Sequence, residues 1–340
     1  MKKILSKRYE ITNTFRYYLT NNQKNRIEII NKRNYTLVDV ECPICKSGKK
    51  LTISERDKYG FNLEFSVCKD CGHLFQSRRY DLKSLKSFYE NDFSFLDQGF
   101  TKKQKFIFED LYTYAENDLT KILSKIPKEK INNILEIGCN NGGALMHFKE
   151  QGKTTKGIDL DPKAISYGKK MGLDIEINSI EQFETDTKYD LIYLISVLEH
   201  IPNLRESTKK ISKLLSPGGY LFIKAPGLLD LHNKSFYKFD LLDFLTLPHL
   251  HYFTEDTLNN LMGLYGMECV HSDKKLKALF IKNDKYSKIT NYFNINYKYL
   301  KQQKKYKILF RQIRFNIYRR VVDLIKSLLK KIGMFSLIIL

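Results

Sequence analysis

Residues 134–143 read ILEIGCNNGG, and the fold turns on them. Ile134, Leu135 and Ile137 surround a single acid, Glu136. Gly138, Cys139, two asparagines, Gly142 and Gly143 follow, and then a helical run, ALMHFKEQG. The pattern is that of a buried strand, a glycine turn and a helix start. Such a turn lets a ligand approach the backbone, and a helix N-terminus offers unpaired N–H groups. A second short strand, in KGIDLDP at 156–162, ends in Asp159. A carboxylate at a strand tip can accept both hydroxyls of a ribose. Glycine turn plus acid is the logic of a nucleotide site, and by itself it suits a dinucleotide as well as S-adenosylmethionine.

Two later stretches separate these ligands. TKYDLIYLISVLEHIPN (187–203) reads as a strand running into a loop. ISKLLSPGGYLFIKAPG (211–227) reads as a helix end, a Pro-Gly-Gly turn and another strand. With LEIGCNNGG and GIDLDPKAI, the series resembles the class I S-adenosylmethionine-dependent methyltransferases over about residues 103–283. The resemblance implies an α/β, Rossmann-like sheet, mostly parallel, with a final antiparallel hairpin. Strands are expected near 133–138, 154–158, 173–177, 190–195, 219–224, 267–271 and 278–282, with helices between the first five. It also implies S-adenosylmethionine as cofactor, held around Glu136, Gly138, Cys139, Gly142 and Asp159. In INSIEQF (177–183), Ser179 and Ile180 correspond to the loop over adenine. The family's turn often reads G-x-G-x-G, and Asn140 stands at the middle glycine. Asn tolerates positive φ well, so the turn should keep its shape.

Four of the six cysteines form two C-x2-C pairs, Cys42-Pro-Ile-Cys45 and Cys68-Lys-Asp-Cys71. Each pair can make a tight knuckle, and four thiolates satisfy tetrahedral Zn²⁺ with no open position. The site is therefore expected to be structural. FNLEFSV (61–67) alternates like a strand feeding the second knuckle, and His73 is expected at the surface.

A zinc ribbon followed by CGHLFQSRRYDLKSLKSFYENDF (71–93) resembles the bacterial sugar methyltransferases of surface-polysaccharide clusters. Phe88 and Tyr89 would either pack in the core or lie over cofactor or substrate. Residues 102–127 read as a helix packed beside the cofactor. The stretch 241–267 falls where that family has substrate-binding insertions, and His249 and His251 precede a helix capped by Thr254. His249, Leu250, Tyr252 and Thr254 match the sugar C-methyltransferases, and Pro248 stands where they have Glu. That departure shifts the expectation towards O-methylation, with His249, His200 or His251 as catalytic histidines. An imidazole titrating near pH 6.5 can take the proton as the methyl transfers. The expected mechanism needs no catalytic metal. The implied substrate is a sugar or glycan precursor. An RNA base methyltransferase and a non-catalytic adaptor are the alternatives, and nucleic acid is disfavoured because no base-clamping motif follows the fifth strand.

The net charge of +20 is uneven. Residues 271–340 hold 18 Lys/Arg against 3 Asp/Glu, while 41–270 hold 31 against 32. The tail at 305–340 has an apolar stripe from Phe310 to Ile332 flanked by basic residues, the pattern of a helix lying on a membrane surface. No run of eighteen apolar residues and no signal peptide is read, so the expectation is a cytoplasmic protein, peripheral on the inner membrane face. The expected units are an unassigned arm (1–36), a ribbon with linker helix (37–95), the methyltransferase domain (96–283) and the basic tail (284–340).

Overall fold

The computed structural model describes residues 21–92, 103–127, 130–233 and 241–302, with Ile317 and Arg320 singly. The tail expected over 305–340 and most of the amino-terminal arm lie outside the described residues. Among the described residues no helix is long and apolar enough to cross a membrane.

The larger sheet forms from the apolar runs that a parallel sheet buries on both faces. Its strands are β5 (Asn133–Ile137), β6 (Thr154–Asp159), β7 (Ile175–Ile177), β8 (Tyr189–Ile195), β9 (Leu215–Lys224), β11 (Met267–His271) and β12 (Lys277–Lys282). Their order is β11-β12-β9-β8-β5-β6-β7. The run from β7 to β9 is parallel, and β12 and β11 close it as the antiparallel hairpin. The helix read over 102–127 is α3 (Gln104–Tyr114), a π-turn at Ala115–Leu119 and α4 (Thr120–Leu123). It covers one face together with α5 (Gly143–Glu150). Next in order come α6 (Pro162–Lys170), α7 (Leu204–Leu214), α8 (Leu241–Phe244), α9 (Glu255–Gly263) and α10 (Phe293–Gln302).

The smaller sheet is antiparallel, with β1 (Leu37–Asp39), β2 (Lys50–Ser54), β3 (Glu64–Cys68) and β4 (Leu74–Tyr80) in the order β1-β4-β3-β2. It is preceded by α1 (Asn21–Asn31), which buries Ile27 and Ile30, and followed by α2 (Leu82–Asn91). A fifth strand comes from far along the chain. The short β10 (His251–Tyr252) pairs antiparallel with β4, His251 opposite Phe75 and Tyr252 opposite Leu74. Tyr252 is fully buried and meets the Phe65 ring edge-on at 5.9 Å.

This seam also accounts for His73, which is not a surface residue as expected but fully buried. Its ring stacks on Phe75 and on His251, with centroids 6.1 and 5.7 Å away. It lies just ahead of β4, the strand that β10 covers, and burial pushes its pKa down to about 3. The cysteine knuckles share one hydrophobic cluster with the large sheet, including Cys42, Cys68, Leu194, Ile223 and Phe253.

Candidate active site and metal centre

The four cysteine sulfurs come within 4.8 Å of one another. Cys42 Sγ is 3.5 Å from Cys71 Sγ, and Cys45 Sγ is 3.4 Å from Cys68 Sγ. A tetrahedral ion with Zn–S bonds near 2.3 Å needs sulfurs about 3.8 Å apart, so the donor set fits Zn²⁺. The two knuckles repeat one backbone device. The residue after each second cysteine, Lys46 and Gly72, has a left-handed φ, of 60° and 82°. A Cβ at Gly72 would strike the Tyr292 backbone at 2.6 Å. Hydrogen bonding from Cys42 favours the thiolate at both Cys45 and Cys68.

At the carboxyl ends of β5 and β6 the glycine turn forms as read. Gly138, Asn140 and Gly142 have φ of 74°, 50° and 75°, so Asn140 takes the left-handed conformation its position demands. A Cβ on Gly138 would meet Val197 at 2.2 Å, and one on Gly143 would meet the Phe108 carbonyl oxygen at 2.2 Å. Asp159 holds the turn in place. One carboxylate oxygen accepts the Asn140 N–H at 2.8 Å and the other accepts the Asp161 N–H at 2.8 Å. Burial raises the Asp159 pKa, against the pull of these N–H groups. Glu136 is buried, accepts the Tyr193 hydroxyl at 3.0 Å, and is pushed by burial well above the carboxylate range. Cys139 and Ile180 are buried, and the Ser179 hydroxyl accepts the Gln182 N–H at 3.3 Å.

The strand β8 is followed by a strained residue, Ser196, with φ of 56°. A 3₁₀ turn, Leu198–His200, follows it. Glu199 is buried, and its backbone carbonyl accepts the Leu250 N–H at 2.8 Å, which draws in the loop before β10. His200 Nδ1–H donates to the Pro248 carbonyl at 2.8 Å, and the Tyr89 hydroxyl lies 3.2 Å from the same nitrogen. This bond leaves Nε2 as the unprotonated nitrogen, 3.9 Å from Glu199 Oε1. Burial pushes the His200 pKa down to about 4, so the ring is neutral at pH 7. The His249 ring meets the His200 ring edge-on at 5.0 Å. His251 stays out of this group. It is buried against the rings of His73 and Phe253, and its Nε2–H donates to the Ile201 carbonyl at 2.8 Å.

The loop carrying His249 is held by the small sheet. The Gln76 carboxamide, buried in β4, donates to the carbonyls of Thr246, Leu247 and His249 at 3.0, 2.7 and 2.9 Å. The Gln76 N–H donates to the Leu250 carbonyl at 3.0 Å, and Asp57 accepts the Leu247 N–H at 3.0 Å.

Residues 108–272 match a family model described as a methyltransferase domain. This segment of the chain is a methyltransferase domain. Among curated relatives, a sterol 4-C-methyltransferase of Caenorhabditis elegans is 28% identical over 171 residues, 46% of this chain and 45% of the relative. A ubiquinone biosynthesis O-methyltransferase of Bordetella avium is 27% identical over 111 residues, 30% of this chain and 45% of the relative. The chain thus spans less than half the length of either. Among solved structures, the S-adenosylmethionine-bound amino pentose methyltransferase CalS10 of Micromonospora echinaspora superposes with a TM-score of 0.39 at 13% identity. It covers 54% of this chain and 92% of that one.

Several residues of the methyltransferase domain and its supporting sheet escape sequence reading. Leu160 is 69% exposed beside Asp159, an apolar side chain set between two acids. Its only signal is that a leucine in Asp-Leu-Asp falls outside the buried strand. Tyr89 at His200 could be read only as one of two roles. Gln76 gives no signal, because nothing in LFQSR marks a glutamine as buried.

Proposed function

We propose that the chain transfers a methyl group from S-adenosylmethionine to a sugar hydroxyl on a nucleotide- or lipid-linked precursor of a cell-surface glycan. The observation that carries this reading is the convergence of Glu199, His200 and His249 at the same end of the sheet as the Gly138–Asp159 turn. The turn suits an adenosine. Each Asp159 oxygen accepts one backbone N–H and keeps a lone pair for a ribose hydroxyl, and Leu160 offers an apolar face to a base. When bound, the cofactor supplies a methyl group on a positively charged sulfur. His249 takes the acceptor proton, and His200, fixed as the neutral tautomer by Pro248, orients the acceptor with Tyr89. Most of the acceleration then comes from positioning.

The sugar acceptor rests on the ribbon followed by the methyltransferase pattern and on His249, Leu250, Tyr252 and Thr254. Oxygen is favoured over carbon because Pro248 offers the cluster only a carbonyl where the C-methylating pattern has a carboxylate. His249→Ala should abolish transfer to a panel of nucleotide sugars with labelled S-adenosylmethionine and leave cofactor affinity within about twofold. Full transfer in that variant would remove His249 from the reaction.

A peripheral position on the inner membrane face belongs to the same reading, since a lipid-linked acceptor cannot leave the membrane. It is supported by the basic, apolar-striped sequence of the tail. Each Lys or Arg near an anionic surface contributes about 1 kcal/mol. The full chain should float with anionic liposomes at low salt, and a chain ending at residue 304 should not. Failure of the full chain to float removes the membrane placement and leaves the chemistry untouched.

A further inference from the structure

The acceptor end is built as more than an acid–base pair. A carboxylate oxygen of Glu199 and one ring nitrogen each of His200 and His249 lie within 4.8 Å of one another. They come from two segments joined by the bond from Leu250 N–H to the Glu199 carbonyl. The His200 ring is oriented as metal-binding imidazoles are, with its other nitrogen donating to a backbone carbonyl, that of Pro248 at 2.8 Å. Its Nε2 lone pair is left 3.9 Å from Glu199 Oε1. The His249 ring stands edge-on to it, so the two imidazoles do not stack over each other. Two imidazoles and one carboxylate suit a divalent transition metal and leave coordination positions open. The four cysteines make a separate, closed site of different chemistry.

We propose that Glu199, His200 and His249 form an open divalent-cation site, and that the acceptor's hydroxyl oxygen completes it. The proposal rests on the acceptor end assigned above and changes one role there. With the imidazole lone pairs used as ligands, the hydroxyl proton leaves to solvent as the methyl–oxygen bond forms and the methyl–sulfur bond breaks. Adjacent ligands of an octahedral ion at about 2.1 Å lie about 3 Å apart, so His200 and Glu199 draw together by about 1 Å on binding. Both sit on one short turn.

The test is a titration of the zinc-loaded full chain with Mn²⁺, with the unbound ion followed by electron paramagnetic resonance. Mn²⁺ prefers nitrogen and oxygen ligands to thiolates, so it does not report the cysteine centre. The expected result is one equivalent bound with a Kd below about 100 µM. Glu199→Gln and, independently, His249→Asn should each weaken it about tenfold or more, with zinc content and S-adenosylmethionine affinity retained as the check on folding. Mn²⁺ remaining free to about 1 mM, or binding both variants as it binds the parent, overturns the site. So does undiminished methyl transfer by enzyme stripped of all metal but its zinc. Wild-type protein that binds Mn²⁺ but not S-adenosylmethionine overturns the proposed function instead, and one that binds S-adenosylmethionine but not Mn²⁺ overturns only the cation.

Discussion

Asp159 works in two directions at once. Its inner lone pairs hold the backbone of the turn at Asn140 and Asp161, and its outer ones are available to a ribose. Asp159→Ala should therefore weaken S-adenosylmethionine binding by about 1.5–3 kcal/mol, through lost charge-assisted hydrogen bonds and a loosened turn. Calorimetry giving an unchanged Kd would remove Asp159 from the cofactor site. The acid was legible because it ends a short strand, KGID, eighteen to twenty residues after the glycine turn. The partition of the histidines was not. His249 and His251 stand two apart, which reads as one face of a strand. But β10 begins only at His251, and the turn before it, closed by His249 N–H to the Thr246 carbonyl, sends His249 to the cluster and His251 inward. His73 was misplaced for a related reason. Its burial depends on a strand made much later in the chain.

Among the elements, β4 holds the loop that carries the proposed base, although it lies outside the matched segment 108–272. Through Gln76 it fixes three carbonyls of the loop that carries His249. Gln76→Leu keeps the approximate volume and leaves those carbonyls buried without this donor, at a cost of about 1–3 kcal/mol. Turnover should fall with it while the Kd for S-adenosylmethionine stays constant, because the glycine turn makes no use of β4. Lower stability in urea with unchanged kcat would mean that the loop keeps its place without Gln76. The strands of the large sheet were legible from their apolar runs and turn residues and fall close to the expected positions, except that β9 begins at Leu215 and takes in the Pro-Gly-Gly read as a turn. β10 was not, since two residues carry no alternation and their partner is remote in sequence.

For the whole molecule, the cysteine pairs and the uneven charge could be read directly, and the unity of the core could not. The expected boundary near residue 95 lies outside the described residues, and one buried cluster joins the cysteine knuckles to strands of the larger sheet. Arg205 on α7 donates to the Ile44 carbonyl at 2.9 Å, and Asn296 on α10 donates to the Gly72 carbonyl at 3.1 Å. Loss of zinc should accordingly be felt beyond the ribbon. Elemental analysis should find about one zinc per chain, and Cys42→Ser or Cys68→Ser should lose it. Structural zinc contributes on the order of 10 kcal/mol, comparable to a domain's whole stability, so these variants should melt at markedly lower temperature. Full metal content and an unchanged melting temperature in both would contradict the zinc centre.

The late arrival of β10 also orders events on the ribosome. Gln76 is made 173 residues before the His249 carbonyl it will bind. At 5–20 residues per second, that is an interval of about 10–35 s. Throughout it the flank of β4 and the Gln76 carboxamide are left to water, while all four thiols are already made and can capture an ion. Metal capture can thus precede completion of the small sheet, whose last strand, β10, directly follows the loop that carries His249.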